Sequence, residues 1–200
     1  NDTLSKYREL LTASNINSNF SEMEVFSSIR STFNNELTPV VLMDFGASKT
    51  KLSIIEYGIV RVFHIINRGS HDITKNISQA LSIPFKEAEQ LKRETGLDRA
   101  KNPQAAEIVK SSIDFILSET NTVVLNFEKK YNKSISKVVL TGGGALLRGL
   151  HEYSMQAFNC EVIYGDPFSK TEAPAFLAPI LSTSGPEFAV AVGIALRQIS

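Results

Sequence analysis

Val138-Val139-Leu140-Thr141-Gly142-Gly143-Gly144-Ala145-Leu146-Leu147-Arg148-Gly149-Leu150 runs from a short apolar strand pattern, through three glycines, into a helical pattern. Glycines between a buried strand and a helix let a flat ligand lie directly against backbone. The open amides of a helix start favour an anion or a polar heterocycle. No Gly-Lys-Ser/Thr follows, so this is no Walker A loop, and the spacing is not the dinucleotide Gly-x-Gly-x-x-Gly. Each glycine costs chain entropy, so three in a row favour a ligand-binding turn over a purely structural one.

Upstream, Val40-Val41-Leu42-Met43 is wholly apolar, as a strand buried on both faces would be. Residues 51–56 and 59–66 flank Tyr57-Gly58, a two-residue hairpin connection. Three consecutive strands are therefore expected in 40–66. Helical periodicity is read at 2–13, from Phe20 through Phe33 (ended by Asn34-Asn35-Glu36), at 73–81 and at 85–95, where Gly96 stops it. Asn102-Pro103 opens a long helix to about Tyr131, with Val109, Ile113, Ile116, Val124, Phe127 and Tyr131 as its apolar stripe. After the glycines a helix is expected through Ala157, then a strand at 161–164 and a loop-rich stretch at 167–186. A final helix from Pro186 to about Ile199 closes the chain. Strands in a meander, then strands alternating with helices, describe an α/β layered domain.

Composition narrows the function. Among 200 residues, 21 Lys and Arg cancel 21 Asp and Glu, so the basic footprint of a nucleic-acid or anionic-membrane binder is missing. A single cysteine, Cys160, and three histidines supply no zinc cluster. The longest run without a polar residue, Phe188 to Leu196, falls far short of the roughly 20 residues that cross a bilayer. Asn1-Asp2-Thr3-Leu4 has neither a basic nor an apolar leader region. It also lacks an initiator Met, as a fragment would. A soluble, cytoplasmic globular protein is the expectation.

Asp44-Phe45-Gly46-Ala47-Ser48-Lys49-Thr50 follows the first strand directly. A carboxylate at a strand's C-terminal end stands where ligands of α/β folds gather. Backbone N–H groups of residues 46–50 can converge on a phosphate, and Asp44 has the hard oxygen that Mg²⁺ takes. An ordinary hairpin turn capped by Asp fits these residues as well. Asp44-Phe45-Gly46 also spells a kinase motif, but no Gly-rich loop, strand Lys or catalytic loop accompanies it. Glu89 and Lys92 share a helix face and could clasp a ribose diol; by spacing alone a solvated ion pair is the simpler reading. Asn67-Arg68-Gly69-Ser70-His71-Asp72-Ile73-Thr74 is a turn opening a helix, with Gly69 free to approach a phosphate or the whole merely a capped helix start. His64, in a strand, reads as structural.

Taken in order, these motifs resemble the actin-like ATPase superfamily, nearest to the pilus-assembly ATPases typified by PilM and their relative, the cell-division protein FtsA. The 44–50 stretch resembles the superfamily's second phosphate motif, and Gly69 to Thr74 its Gly-Gly-x-x-Ile-Thr stretch. Ala88-Glu89-Gln90-Leu91-Lys92 is similar to its nucleoside-lining helix, and Gly142-Gly143-Gly144-Ala145-x-Leu147-x-Gly149 to its adenosine motif. Pro186 to Arg197 resembles the C-terminal helix of PilM-like chains. Arg68 stands where the family has its first Gly, and Ala47-Ser48-Lys49 departs from the commoner residues.

The resemblance implies an α/β fold of the actin-like (ribonuclease H-like) kind, a mixed sheet flanked by helices. Residues 1–39 would be helices of a first lobe or connecting region. Residues 40–200 would form the second lobe, with a helical insert at about 70–131. It further implies ATP and Mg²⁺ as cofactors. Asp44 would hold the metal; Gly46, Ala47, Ser48, Lys49, Thr50 and Gly69 would hold phosphates. Glu89 and Lys92 would contact the ribose, and Gly142, Gly143, Gly144 and Ala145 the adenine or α-phosphate. Glu24 resembles the residue that positions the attacking water, in at most a slow, Mg-dependent ATPase. The implied role is a cytoplasmic scaffold or switch of type IV pilus assembly, working at the inner face of the membrane through the tail of a PilN-like inner-membrane protein. Self-association is a further implied option; nucleic-acid binding and direct membrane insertion are not expected. An FtsA-like division protein would need a C-terminal amphipathic anchor, whereas this sequence closes on Gln198-Ile199-Ser200. The resemblance also admits a small-molecule kinase of the same superfamily, or a degenerate, non-catalytic scaffold.

Overall fold

The structure is a computed structural model and describes residues 2–18, 20–34 and 36–197. Five strands form one mixed sheet in the order β3-β2-β1-β4-β5: β1 (Val40–Phe45), β2 (Thr50–Glu56), β3 (Ile59–Ile66), β4 (Lys137–Thr141) and β5 (Glu161–Tyr164). β1, β2 and β3 pair antiparallel, whereas β4 lies parallel to both β1 and β5. The β2–β3 turn takes positive φ at Tyr57 (53°) and Gly58 (72°), the backbone that continues the twist of two hairpin strands.

Helices cover both faces. On one face pack α3 (Ser70–Leu81), α4 (Phe85–Thr95), α5 (Pro103–Tyr131) and α6 (Leu150–Phe158), around Met43, Phe45, Leu52, Ile54, Ile77, Ile113 and Leu140. Asn102 caps α5 by accepting from the Ala105 N–H at 2.9 Å, with Pro103 in the first turn. Thr120, which interrupts the apolar stripe of α5, is fully buried because its hydroxyl donates back to the Ile116 carbonyl at 2.8 Å. The other face carries α2 (Glu24–Thr32), whose Val25 and the following Phe33 meet Val40, Leu42, Ile55 and Val139. α1 (Asp2–Ala13) buries no residue.

Several boundaries differ from the sequence reading, α3 for one starting at Ser70 rather than 73. α2 begins at Glu24, because Glu22 is held instead as an anchor, accepting from Ser27 Oγ at 2.5 Å and from both Arg30 nitrogens at 2.8 and 2.9 Å. The glycines open a short 3-10 turn, Gly143–Leu146, and α6 starts only at Leu150, because Gly149 turns the chain at φ 80°. The stretch after β5 is largely helical: 3-10 turns, α7 (Ala178–Ser184) and α8 (Ala189–Leu196) succeed one another. The expected helix end at Ile199, and Asn35, fall outside the described residues.

That last segment also changes the picture drawn from apolar runs. Ala175–Leu196 is the one helical run among the described residues long and apolar enough to cross a membrane by length and composition, with mean hydropathy 1.3 over its most apolar window. Counting only unbroken apolar residues missed it, since Ser and Thr interrupt the run without stopping a helix. Here α8 is tied into the domain. Ser31 Oγ donates to the Ala189 carbonyl at 2.6 Å and Arg30 to that of Gly193 at 2.7 Å. Gly193 itself sits so close to α2 that a Cβ would lie 1.9 Å from the Ser27 carbonyl oxygen.

Candidate functional site

The C-terminal ends of β1 and β4 open onto a cavity of about 450 Å³, a volume within the ordinary range of small-ligand sites. Its walls come from four separated pieces of chain: Phe45 and Ala47; Ser70, His71 and Ile73; Glu89, Lys92 and Arg93; and Gly143, Gly144, Leu146 and Leu147 with Glu187.

The turn after β1 is closed by the Gly46 N–H donating to the Lys49 carbonyl at 3.1 Å. Ser70 and His71 at the start of α3 donate their N–H groups to the carbonyls of Gly46 and Ala47, at 3.0 and 2.8 Å. The helix start therefore braces the turn, and those two amides are spent. Gly69 belongs to the same brace: a Cβ there would lie 2.4 Å from the Ala47 carbonyl oxygen, so glycine is what lets α3 press onto the turn. It touches the turn rather than the cavity wall. Ala47 reaches the cavity, while Ser48, Lys49 and Thr50 do not line it. Thr50 is buried and donates to the Arg68 carbonyl at 2.9 Å.

Glu89 and Lys92 do not form the solvated pair that spacing alone favoured. Lys92 is 3% exposed and gives its protons to Glu89 Oε2 (2.7 Å), Ser70 Oγ (2.8 Å) and Thr74 Oγ1 (2.9 Å). Glu89 also accepts from Thr74 at 2.5 Å and Arg93 at 2.8 Å. Burial alone would raise the Glu89 pKa, but the Lys92, Thr74 and Arg93 hydrogen bonds outweigh it and hold it at about 2. Burial lowers the pKa of Lys92, against the pull of Glu89. Glu89 lines the cavity, and with three of its roughly four lone-pair sites used it keeps one acceptor.

A pH dependence follows. A carboxylate depressed from 4.5 to about 2 adds stability that is present above its unfolded value and lost as pH falls through that interval. Glu22 is likewise held at about 2, chiefly by the Arg30 hydrogen bonds against burial. Urea midpoints should fall between pH 4.5 and 2. Glu89→Gln should flatten part of that fall.

The three glycines divide by role. Gly142, at φ 83° and ψ 161°, occupies a backbone region that only glycine enters freely, and a Cβ would lie 2.5 Å from Asp44 Oδ1. Gly144 lies against the Phe45 ring, 2.7 Å from where its own Cβ would be. Gly143 alone faces open space, with Glu187 the nearest neighbour at 3.8 Å. Ala145 is buried under the turn and is not part of the wall.

Asp44 and Glu24 meet on the opposite side of β1, facing α2. Asp44 pairs in register with Lys51, and its Oδ2 lies 3.5 Å from Lys51 Nζ, which is also ion-paired with Glu24. Burial raises the Asp44 pKa, Lys51 opposes it and the nearby Glu24 adds to it. Asp44 does not line the 450 Å³ cavity, but its neighbour Phe45 does.

Sequence reasoning missed Lys51, Arg93, Glu187 and His71. Arg93 had a signal, lying four residues after Glu89 on one helix. Lys51 had one too, since a tight hairpin after Asp44 places it across the pair. Glu187 had none, because only the docking of the C-terminal segment brings it to Gly143; the Gly142 N–H donates to the Pro186 carbonyl at 2.8 Å.

Residues 41–193 match the family described as cell division protein FtsA. The chain belongs to the FtsA family. The FtsA of Neisseria meningitidis serogroup B is 25% identical over 150 residues, covering 64% of this chain and 36% of that one. FtsA of Helicobacter pylori strain J99 is 28% identical over 185 residues, 80% of this chain and 37% of that one. The chain thus spans little more than a third of these FtsA proteins. Among solved structures, a chain of the PilM–PilN type IV pilus biogenesis complex superposes with a TM-score of 0.85 at 20% identity, over 98% of this chain and 58% of that one. MreB5 of Spiroplasma citri bound to ADP gives a TM-score of 0.73 at 16% identity, over 98% and 65%. The mixed sheet flanked by helices is therefore the actin-like ATPase fold, as the motifs implied.

Members of this fold family generally bind ATP with Mg²⁺. The cavity's size, its open Gly143 and its polar Glu89–Lys92 wall fit a nucleoside. The surroundings of Asp44 are already charged: its Oδ2 faces the Lys51 ammonium at 3.5 Å, a cation that competes with a divalent ion for that oxygen.

Proposed function

We propose that this chain holds the nucleotide of an actin-like ATPase of the FtsA/PilM kind, acting as a switch or scaffold rather than a metabolic enzyme. One observation carries the reading: a single cavity joins Ala47, the Glu89–Lys92 pair and Gly143-Gly144, all drawn from motifs far apart in sequence. In it the base lies on Gly143 and Gly144, and a ribose hydroxyl donates to the remaining Glu89 lone pair. Lys92 keeps that carboxylate ionised and aimed. The phosphates lie toward Ala47, where the turn after β1 reaches the cavity. ADP in the Spiroplasma MreB5 supports this ligand class.

In this reading residues 1–39 connect to a first lobe and residues 40–200 are the second. The machine served is that of type IV pilus assembly, with the cytoplasmic tail of a PilN-like inner-membrane protein as partner; the PilM–PilN neighbour supports this. The FtsA family match favours cell division as the second reading. Fluorescent fusions of the full-length protein separate them, by recruitment to pilus sites or to the division septum.

The binding test is thermal stability against ATP concentration. At 100 times Kd the wild type should gain about 2.7 kcal/mol. Gly143→Leu starts from a Cβ that meets nothing closer than 3.8 Å and extends into the cavity, so it should fold and lose the ATP response. No saturable response in the wild type would overturn the reading.

A further inference from the structure

We propose that Lys51 is a tethered cation standing in the divalent ion's place beside Asp44, so that nucleotide binding here needs no metal. The proposal rests on the nucleotide reading of the cavity and concerns its phosphate end. Asp44 Oδ1 lies beside Gly142, which precedes the cavity residue Gly143, so the cluster, although it faces α2, stands at the same C-terminal ends of β1 and β4 onto which the cavity opens. Gly142 lies beside Asp44 Oδ1, and Oδ2 faces Lys51 Nζ at 3.5 Å, with the Asp44 side chain 17% exposed. The same ammonium is ion-paired with Glu24, so one positive charge lies between the two carboxylates.

On the α2 side of Asp44, space argues the same way. The gap beside Asp44 and Lys51, walled by Val25, Ser28, Leu42 and Phe63, is about 10 Å³. That is the least volume that holds a single water, whereas Mg²⁺ demands octahedral geometry and keeps several waters. A divalent ion on Asp44 would also have to displace, or sit against, the lysine charge.

The test measures ATP affinity by thermal shift in EDTA and in excess Mg²⁺, for wild type, Lys51→Ser and Lys51→Gln. Wild-type affinity should be unchanged by EDTA. Both variants should lose about tenfold (~1.4 kcal/mol) in EDTA and recover it in Mg²⁺. A wild type that needs Mg²⁺, or variants as tolerant of EDTA as the wild type, overturns the proposal. A second arm uses no nucleotide: Mn²⁺ binding to the free protein, read by electron paramagnetic resonance. Lys51→Ser should gain a Mn²⁺ site that Asp44→Asn removes, and the wild type should show none there. A wild-type site at Asp44 sinks the proposal. If ATP fails to bind under any condition, the nucleotide reading falls and the Mn²⁺ arm still decides the role of Lys51.

Discussion

Lys92→Met is expected to destabilise the protein by about 3 kcal/mol, the lower end of what removing one partner of a buried ion pair costs. Lys92 is the hub of its network: without it, Glu89 keeps only Thr74 and Arg93, and Ser70 Oγ loses its donor. The cost sits at the lower end because the Glu89 side chain is 26% exposed and water can reach it. In a domain of this size that corresponds to a fall in Tm of roughly 6–12 °C. Chemical denaturation of Lys92→Met, Glu89→Gln and the double variant gives the coupling directly. The double variant should recover part of the loss, since no unpaired charge remains. A loss below about 1 kcal/mol would return the pair to the ordinary surface class. ATP affinity should fall in Lys92→Met as well, because in the proposed reading the carboxylate it aims receives the ribose hydroxyl.

The second large effect is Gly142→Ala, expected to cost about 2–3 kcal/mol from a backbone region closed to side chains plus the collision of the new methyl. Its Cβ would lie 2.5 Å from Asp44 Oδ1 and 2.7 Å from the Phe45 carbonyl oxygen, and backbone cannot step aside cheaply. Gly143→Ala, one residue along, should be near neutral, for it meets nothing closer than 3.8 Å. Comparing the two by denaturant midpoint separates a structural glycine from one that keeps space for a ligand. Equal losses would mean that the run of glycines serves the turn alone.

Much of the fold was legible because it is written locally. The turn at Tyr57-Gly58, the Asn102 cap with Pro103 and the strand at Val40 each depend on residues within a few positions. So do the bounds of β3, α4 and α5, which fall where hydrophobic period and stop signals put them. The motifs at 44–50, 88–92 and 142–149 were also visible, since each is a short run with its own spacing. Their order along the chain carried the resemblance to actin-like ATPases.

What each motif residue does was decided by contacts between distant segments. Spacing could not show that Lys92 is buried, because its burial comes from α3 closing over α4. The residue types of Gly142-Gly143-Gly144 are identical, yet Asp44 and Phe45, about a hundred positions away, claim two of them and leave Gly143 open. Glu24, Asp44 and Lys51 come together only once α2 lies across β1 and β2. The apolar C-terminal run reads only as a closing helix; its place against α2 is set by Ser31, Arg30 and the backbone of Ser27. Local order reflects short-range torsion and hydrophobic period, which a sequence states openly; burial and charge partnership depend on which surfaces meet, and those only the tertiary structure decides.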